Sequence, residues 1–171
     1  MYKYMFYDTD FYGKEEYDIK GSDYVRLLST CIKYSKSFSC FIFDTEIVLP
    51  EFLEKYKMPL NKTVIDVYRR YFSNFEDPLD RIFYLSLSPE VCSWIYSVTD
   101  RIFAWAFHEK PSCPDDPTFY REDGSIFFTS EIHEGYCTII PRDNEDVNDI
   151  ISVGIWDKVN DNDTPFFCTV T

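Results

Sequence analysis

The stretches "FHEKPSC" at 107–113 and "IHEGYC" at 132–137 hold the chain's two histidines in matching surroundings. Each histidine follows an apolar residue, precedes a glutamate, and has a cysteine four or five positions on. Two chemistries use these residue types. Tetrahedral zinc takes Cys and His, commonly from pairs close in sequence. Nucleophilic catalysis takes a thiolate beside a base oriented by a third group. His108, Cys113, His133 and Cys137 are the candidates for either, with Glu109 or Glu134 as the orienting group.

The spacing disfavours zinc. In an extended segment, residues 133 and 137 lie about 13 Å apart at 3.3 Å per residue. Two ligands of one zinc stand within about 4 Å of each other, given the lengths of metal–ligand bonds. A tight turn at Gly135 is the one way to bring the pair together. Cysteine catalysis is disfavoured by the acidic surroundings, because nearby negative charge raises a thiol's pKa. "HE" lacks the second histidine of a zinc-protease helix. No cofactor, metal site or catalytic residue is expected.

Other motifs are absent or incomplete. There is no GxGxxG, no GxxxxGK[ST] and no G-x-S-x-G. "DNEDVND" and "DNDTPF" have neither the glycine at the sixth position nor the glutamate at the twelfth of a calcium loop. Arg69 and Arg70, with Lys55, Lys57 and Lys62 near them, make a modest basic patch, of a kind that is more often solvated than nucleic-acid binding.

These residues must be held by elements that the pattern suggests. Residues 2–8 read as a strand, and Ser22 as the cap of a helix over about 23–34 with Tyr24, Leu27, Leu28, Cys31 and Ile32 on one stripe. "SFSCFIFD" at 37–44 and "RIFYLSLS" at 81–88 read as strands. Pro50 opens a short helix that Pro59 ends. Asn61 caps a helix whose stripe is Val64, Val67, Tyr68, Tyr71 and Phe72, and Ser88-Pro89 starts another. "RIFAWAFHE" at 101–109 is strand-like, and "KPSCPDDP" at 110–117, with three prolines, is a loop. Asp123-Gly124 between apolar runs is the strongest hairpin signal. Glu134-Gly135 turns into a strand at "YCTIIP", "NEDVNDIIS" is a short helix, an irregular acidic segment follows, and "PFFCTV" is a last strand.

The predicted fold class is therefore α+β: a mostly antiparallel sheet, helices concentrated in the first 100 residues, and a C-terminal β-meander. With 171 residues and 19% aromatics, one domain over 1–171 with a substantial core is expected. No stretch approaches the roughly 20 apolar residues of a membrane span, and "MYKYMFYDTD" does not read as a secretory signal. The six scattered cysteines then read as reduced, mostly buried thiols of a cytoplasmic protein.

Charge gives the functional expectation. Net charge is −13, and residues 114–171 hold 13 acids against Arg121, Arg142 and Lys158. Such a field repels nucleic acid and membranes and attracts basic partners. In size, acidity and lack of a catalytic signature, the chain resembles the small acidic proteins with which bacteria and phages neutralise cationic effectors, such as toxin-immunity proteins and defence inhibitors. The expected function is blockade of a basic protein, such as a nuclease or other toxin, through the acidic C-terminal third. The expected contact residues are Glu122, Asp123, Glu131, Glu134, Asp143, Glu145, Asp146 and Asp149, with Tyr120, Phe128, Tyr136 and Trp156 as aromatic anchors. Reversing Glu145, Asp146 and Asp149 to Lys is expected to weaken binding and leave the fold intact. A His/Glu/Cys enzyme and a non-inhibitory interaction module remain alternatives. A solvated acidic face with the aromatics in the core is the bland one.

Overall fold

A computed structural model describes residues 2–9, 16–44, 46–106 and 113–160. Its centre is a seven-stranded sheet in the order β3-β2-β4-β5-β6-β1-β7. The strands are β1 (Tyr2–Tyr7), β2 (Ser37–Phe41), β3 (Ile82–Ser86), β4 (Asp115–Tyr120), β5 (Ile126–Glu131), β6 (Tyr136–Ile139) and β7 (Trp156–Asn160). Every pairing among them is antiparallel, and β4, β5 and β6 form the expected meander. The fold is α+β.

Strand alternation sends side chains to two unlike faces. On one face Phe6, Phe38, Cys40, Leu85, Phe119, Phe128, Cys137 and Ile139 build the larger core. Helix α1 (Ser22–Tyr34) adds Tyr24, Leu27, Leu28 and Cys31 to it, and α3 (Pro89–Val98) adds Val91, Ile95 and Val98. On the other face Phe41, Ile82, Tyr84 and Tyr120 meet Val64 and Tyr68 of α2 (Lys62–Tyr68), with Tyr71 from the 3-10 turn that follows it. Here the buried strand residues are partly polar. Ser39 Oγ lies 2.8 Å from both the Tyr68 and Tyr120 hydroxyls, so the buried hydroxyls satisfy one another.

The local start signals largely work. Asn61 Oδ1 accepts from the Val64 amide at 3.1 Å and Ser88 Oγ from the Val91 amide at 3.2 Å. Residues 121–125 close the β4–β5 hairpin, with the Arg121 amide donating to the Ser125 carbonyl at 2.8 Å. Helix α4 (Asn148–Ile151) lies within the predicted short helix.

Four expectations are corrected. Helix α1 is capped by Gly21, at φ 60°, and Ser22 lies within the helix. Of the strand predicted over 101–109, the described residues 101–106 form a strap instead. Ile102–Ala104 is one 3-10 turn, the Ile102 amide is tied to the Ile19 carbonyl, and Trp105 is buried with its Nε1 2.7 Å from the Tyr24 hydroxyl. Its apolar alternation serves packing beneath α1 and not a sheet. The loop predicted over 110–117 ends early, because Asp115–Pro117 already belong to β4. Part of the segment predicted as irregular is β7, which pairs with β1 from Tyr2↔Asn160 to Phe6↔Trp156. The strand predicted at 165–170 lies outside the described residues, as do His108, Glu109 and Cys168.

Candidate functional site

The register places the acidic residues at two opposite ends of the sheet. Ser37 pairs with Tyr120 and Tyr4 with Ile139, so the 121–125 turn and residues 140–146 share one end. Phe41 pairs with Asp115, Glu131 with Tyr136 and Tyr7 with Tyr136, so Asp8, Asp44, Asp115, Asp116, Glu131 and Glu134 share the other. The contact residues expected from the sequence therefore do not form one surface. Glu122, Asp123, Asp143, Glu145 and Asp146 lie at the hairpin end, and Glu131, Glu134 and Tyr136 at the far end.

Several of them are not at the surface at all. Tyr120 is fully buried, bonded to Ser39 and edge-on to Tyr84. Phe128 is buried against Phe119. Trp156 is half-buried, its ring on Phe6 and its Nε1 donating to the Val153 carbonyl at 3.0 Å. Glu145 is 7% exposed and makes a bidentate pair with Arg121, both contacts at 2.6 Å. It cannot be reversed to Lys without breaking that pair, so the triple reversal is not neutral to the fold. Tyr136 is half-buried beside Tyr7. Glu122, Asp123, Glu134, Asp143, Asp146 and Asp149 are exposed.

The far end has the more unusual chemistry, and a β-bulge creates it. Between the pairs Ser39↔Thr118 and Phe41↔Asp115, Cys40 faces both Asp116 and Pro117. Proline lacks the amide that a ladder would need, and a bulge is where a sheet tolerates it. Asp116 takes φ 53°, a left-handed conformation uncommon outside glycine. Both aspartates are fully buried. Asp116 accepts from Arg70 Nη2 and the Ile132 amide, each at 2.7 Å, and from the Tyr71 hydroxyl in a short contact. Arg70 Nε lies 3.7 Å from Glu131. Asp115 Oδ1 lies 2.8 Å from His133 Nε2, and the imidazole rests on the Phe43 ring at 4.8 Å between centroids.

The rim is tied to this floor. The Asp8 amide donates to the Gly135 carbonyl at 2.8 Å, and a Cβ at Gly135, where φ is 72°, would collide with the Asp8 carboxylate. Thr9 bridges Glu16, and the Glu46 amide donates to the Asp44 carboxylate at 2.9 Å. Burial holds the Asp8 carboxyl above its usual range, with Glu16 adding to the effect. Arg81 donates to the Ile42 and Phe43 carbonyls and stacks on Phe75. Among the described residues, carboxylates thus outnumber cations at this end. At the hairpin end, Lys33, Lys36, Arg121 and Arg142 are interleaved with the acids.

Among the described residues, two members of the predicted His/Cys set, His133 and Cys137, are kept apart. His133 lies in the turn beside Asp115, whereas Cys137 is buried in the helix-side core. Burial pushes the Cys137, Cys31 and Cys40 thiols well above their usual range. A reactive cysteine needs the opposite shift. Among the described residues, no three His, Cys, Asp or Glu side chains converge as metal ligands would. The expected basic patch is also dispersed, since Arg69 pairs with Asp66 at 2.7 Å and Arg70 belongs to the buried network. Asp115, Asp116, Arg70 and Tyr71 were missed as a unit. The available signal was a pair of acids between two prolines, "PDDP", read as a loop.

The bond to Asp115 raises the pKa of His133, outweighing the effect of its partial burial. A histidine with a raised folded pKa contributes stability that is present below its unfolded value, about 6.5, and lost as pH rises through the folded value. Wild type should therefore exceed His133→Gln by about 1 kcal/mol at pH 6. The gap should shrink at higher pH. Thermal melts of both proteins between pH 6 and 9 check this, and a gap that widens with pH would refute it.

Among the described residues, no helix is long and apolar enough to cross a membrane. Comparison with protein-family models, with curated proteins and with solved structures found no match.

Proposed function

We propose that the chain is a small acidic binding protein that neutralises a basic protein partner, in the manner of a toxin-immunity protein or defence inhibitor. We place its recognition surface at the bulge end of the sheet. One observation carries this reading: Asp8, Glu16, Asp44, Glu46, Glu131 and Glu134 lie at the same end of the sheet as Asp115 and Asp116, which are fixed by His133, Arg70 and Tyr71. A surface held by such bonds loses little freedom on association, which favours binding. Opposite charge steers a cationic partner onto it. In this reading the protein acts in the cytoplasm, and burial of Cys31, Cys40 and Cys137 as thiols agrees with a reducing compartment. The exposed acids of the hairpin end keep the protein soluble.

The test uses purified basic nuclease domains as probes, with association followed by interferometry. A bound probe should associate at least about tenfold more slowly at 0.5 M than at 0.05 M salt, because screening shortens from over 10 Å to a few ångströms. Reversing the exposed Glu46 and Glu134 together to Lys should weaken binding by roughly ten- to hundredfold. An unchanged melt would show that the fold is kept. A probe bound tightly at a salt-independent rate, and equally by the double variant, rules the surface out.

A further inference from the structure

An open depression of about 570 Å³ lies between α3 and the 3-10 turn Glu51–Tyr56. Pro50, Phe52 and Lys55 line one side of it, and Glu90, Trp94 and Ser97 line the α3 side. Its aromatic part is anchored from behind. Trp94 is half-buried and edge-on to Phe38 and Trp105, at 6.1 and 6.3 Å between centroids. Phe52 is 39% exposed, and its neighbour Leu53 is fully buried and fixes the turn on the core. Lys55 Nζ lies 3.5 Å from Glu90, so the two charges of the lining offset each other.

The Pro50 side leads back to the acidic end of the sheet. The chain leaves β2 at Phe41, opposite Asp115, and returns to the sheet where Lys57 pairs with Leu85. Between these points the segment from Asp44 to Pro50 runs from the bulge end to the depression. Ile47 is buried and holds it down, while Val48, two positions before Pro50, is 86% exposed. Val48, Pro50, Phe52 and Trp94 thus follow one another as an apolar strip. Glu46 and Glu51 flank it, both exposed, and among the described residues neither has an ion-pair partner. An apolar strip rimmed by polar residues marks an interaction site.

Charge selects the occupant. Acids without partners beside the strip, in a chain of net charge −13, repel a second copy of the chain, nucleic acid and anionic membranes alike. They attract cations, whereas the depression suits an apolar side chain. We propose that this strip seats an amphipathic basic helix of the partner, with Lys or Arg against Glu46 and Glu51 and Leu or Phe over Val48 and Phe52, against Trp94. A helix laid in a groove presents both kinds of side chain at once, and interface energy concentrates at such apolar anchors. The inference rests on the reading of the bulge end as a surface for a cationic protein, and supplies the apolar anchor of that surface.

Two synthetic helical peptides of about 18 residues test it, each spanning five turns. Both carry the same Lys and Arg on one face. The other face is Leu and Phe in the first and Ser and Gln in the second. Fluorescence anisotropy at low salt follows their binding to the full chain. The amphipathic peptide should bind roughly ten- to hundredfold more tightly than the polar one. Replacing Val48 and Phe52 together with Ser should erase most of that difference and leave the polar peptide's affinity unchanged. Val48→Ser alone should erase part of it. Reversing Glu46 and Glu51 to Lys should weaken both peptides. Thermal melts confirm that each variant folds. Equal binding of the two peptides by wild type overturns the groove and leaves the acidic surface standing. Amphipathic binding that survives the reversal of Glu46 and Glu51 overturns the joint surface, as does binding of neither peptide. Self-association of the wild type that is lost in the Val48 and Phe52 variant would assign the strip to a second copy and overturn the proposal.

Discussion

Replacing Glu145 with Ala is expected to destabilise the protein by about 3–5 kcal/mol. Arg121 is 6% exposed, and its guanidinium holds the hairpin turn, the end of β6 and the 142–145 loop together. Without the carboxylate, a buried cation would keep two carbonyl partners but no opposite charge. For a chain of this length each kcal/mol moves Tm by about 2–4 °C, so the loss should be roughly 6–20 °C. pH supplies a second signature. Burial alone would raise the Glu145 pKa, but the bonds from Arg121 and the Arg142 amide hold it below its usual range. A carboxylate with a depressed folded pKa contributes stability above its unfolded value, about 4.3, and loses it as pH falls through the folded value. The gap between wild type and Glu145→Gln should therefore be full at pH 6 and shrink below about pH 4. Denaturant unfolding at several pH values checks both statements. A loss under about 1 kcal/mol in Glu145→Ala would show that Glu145 is the solvated acid its sequence context suggests.

Asp116→Ala should cost about as much, roughly 3–5 kcal/mol, for two separable reasons. The first is the network: Arg70, Tyr71 and the Ile132 amide all lose their acceptor. The second is the backbone, because alanine at φ 53° meets strain that Asp and Asn tolerate better. Two further variants divide the cost. Asp116→Asn keeps the conformation and removes the charge, and about 1.5–3 kcal/mol is expected. Asp116→Gly removes the side chain without left-handed strain, and it should be more stable than Asp116→Ala by about 1 kcal/mol. Equal stability of the Gly and Ala variants would show that the bulge relaxes around either residue.

Much of the architecture is legible from neighbouring residues. Asn61 and Ser88 announce their helices because a side-chain oxygen three residues before an amide is a local geometry. Asp123-Gly124 announces its turn, and the apolar stripe of α1 its buried face, for the same reason. Such signals fail where a long-range tie overrides a local preference. "RIFAWA" alternates like a strand, yet the bond from Ile102 to Ile19 makes it a strap. "PDDP" has the composition of a loop, yet the pairing of Phe41 with Asp115 draws it into the sheet through a bulge.

The candidate site was legible only as a composition. The excess of acids after residue 113, the scarcity of histidine and the scattered cysteines can be counted along the chain. Which acids face solvent cannot. Glu145 and Asp146 are neighbours, yet one is buried on Arg121, 24 positions away, and the other is exposed. Arg70 reaches Asp116 across 46 positions, and Tyr120 becomes a core residue through a serine 81 positions before it. The sequence by itself determined the α+β class, the helix starts, the hairpin and the sign of the field. Tertiary structure alone decided which carboxylates are paired within the protein, and which end of the sheet each one occupies. Periodicity and turn chemistry act over a few residues, whereas an ion pair or a strand register exists only once distant segments have met.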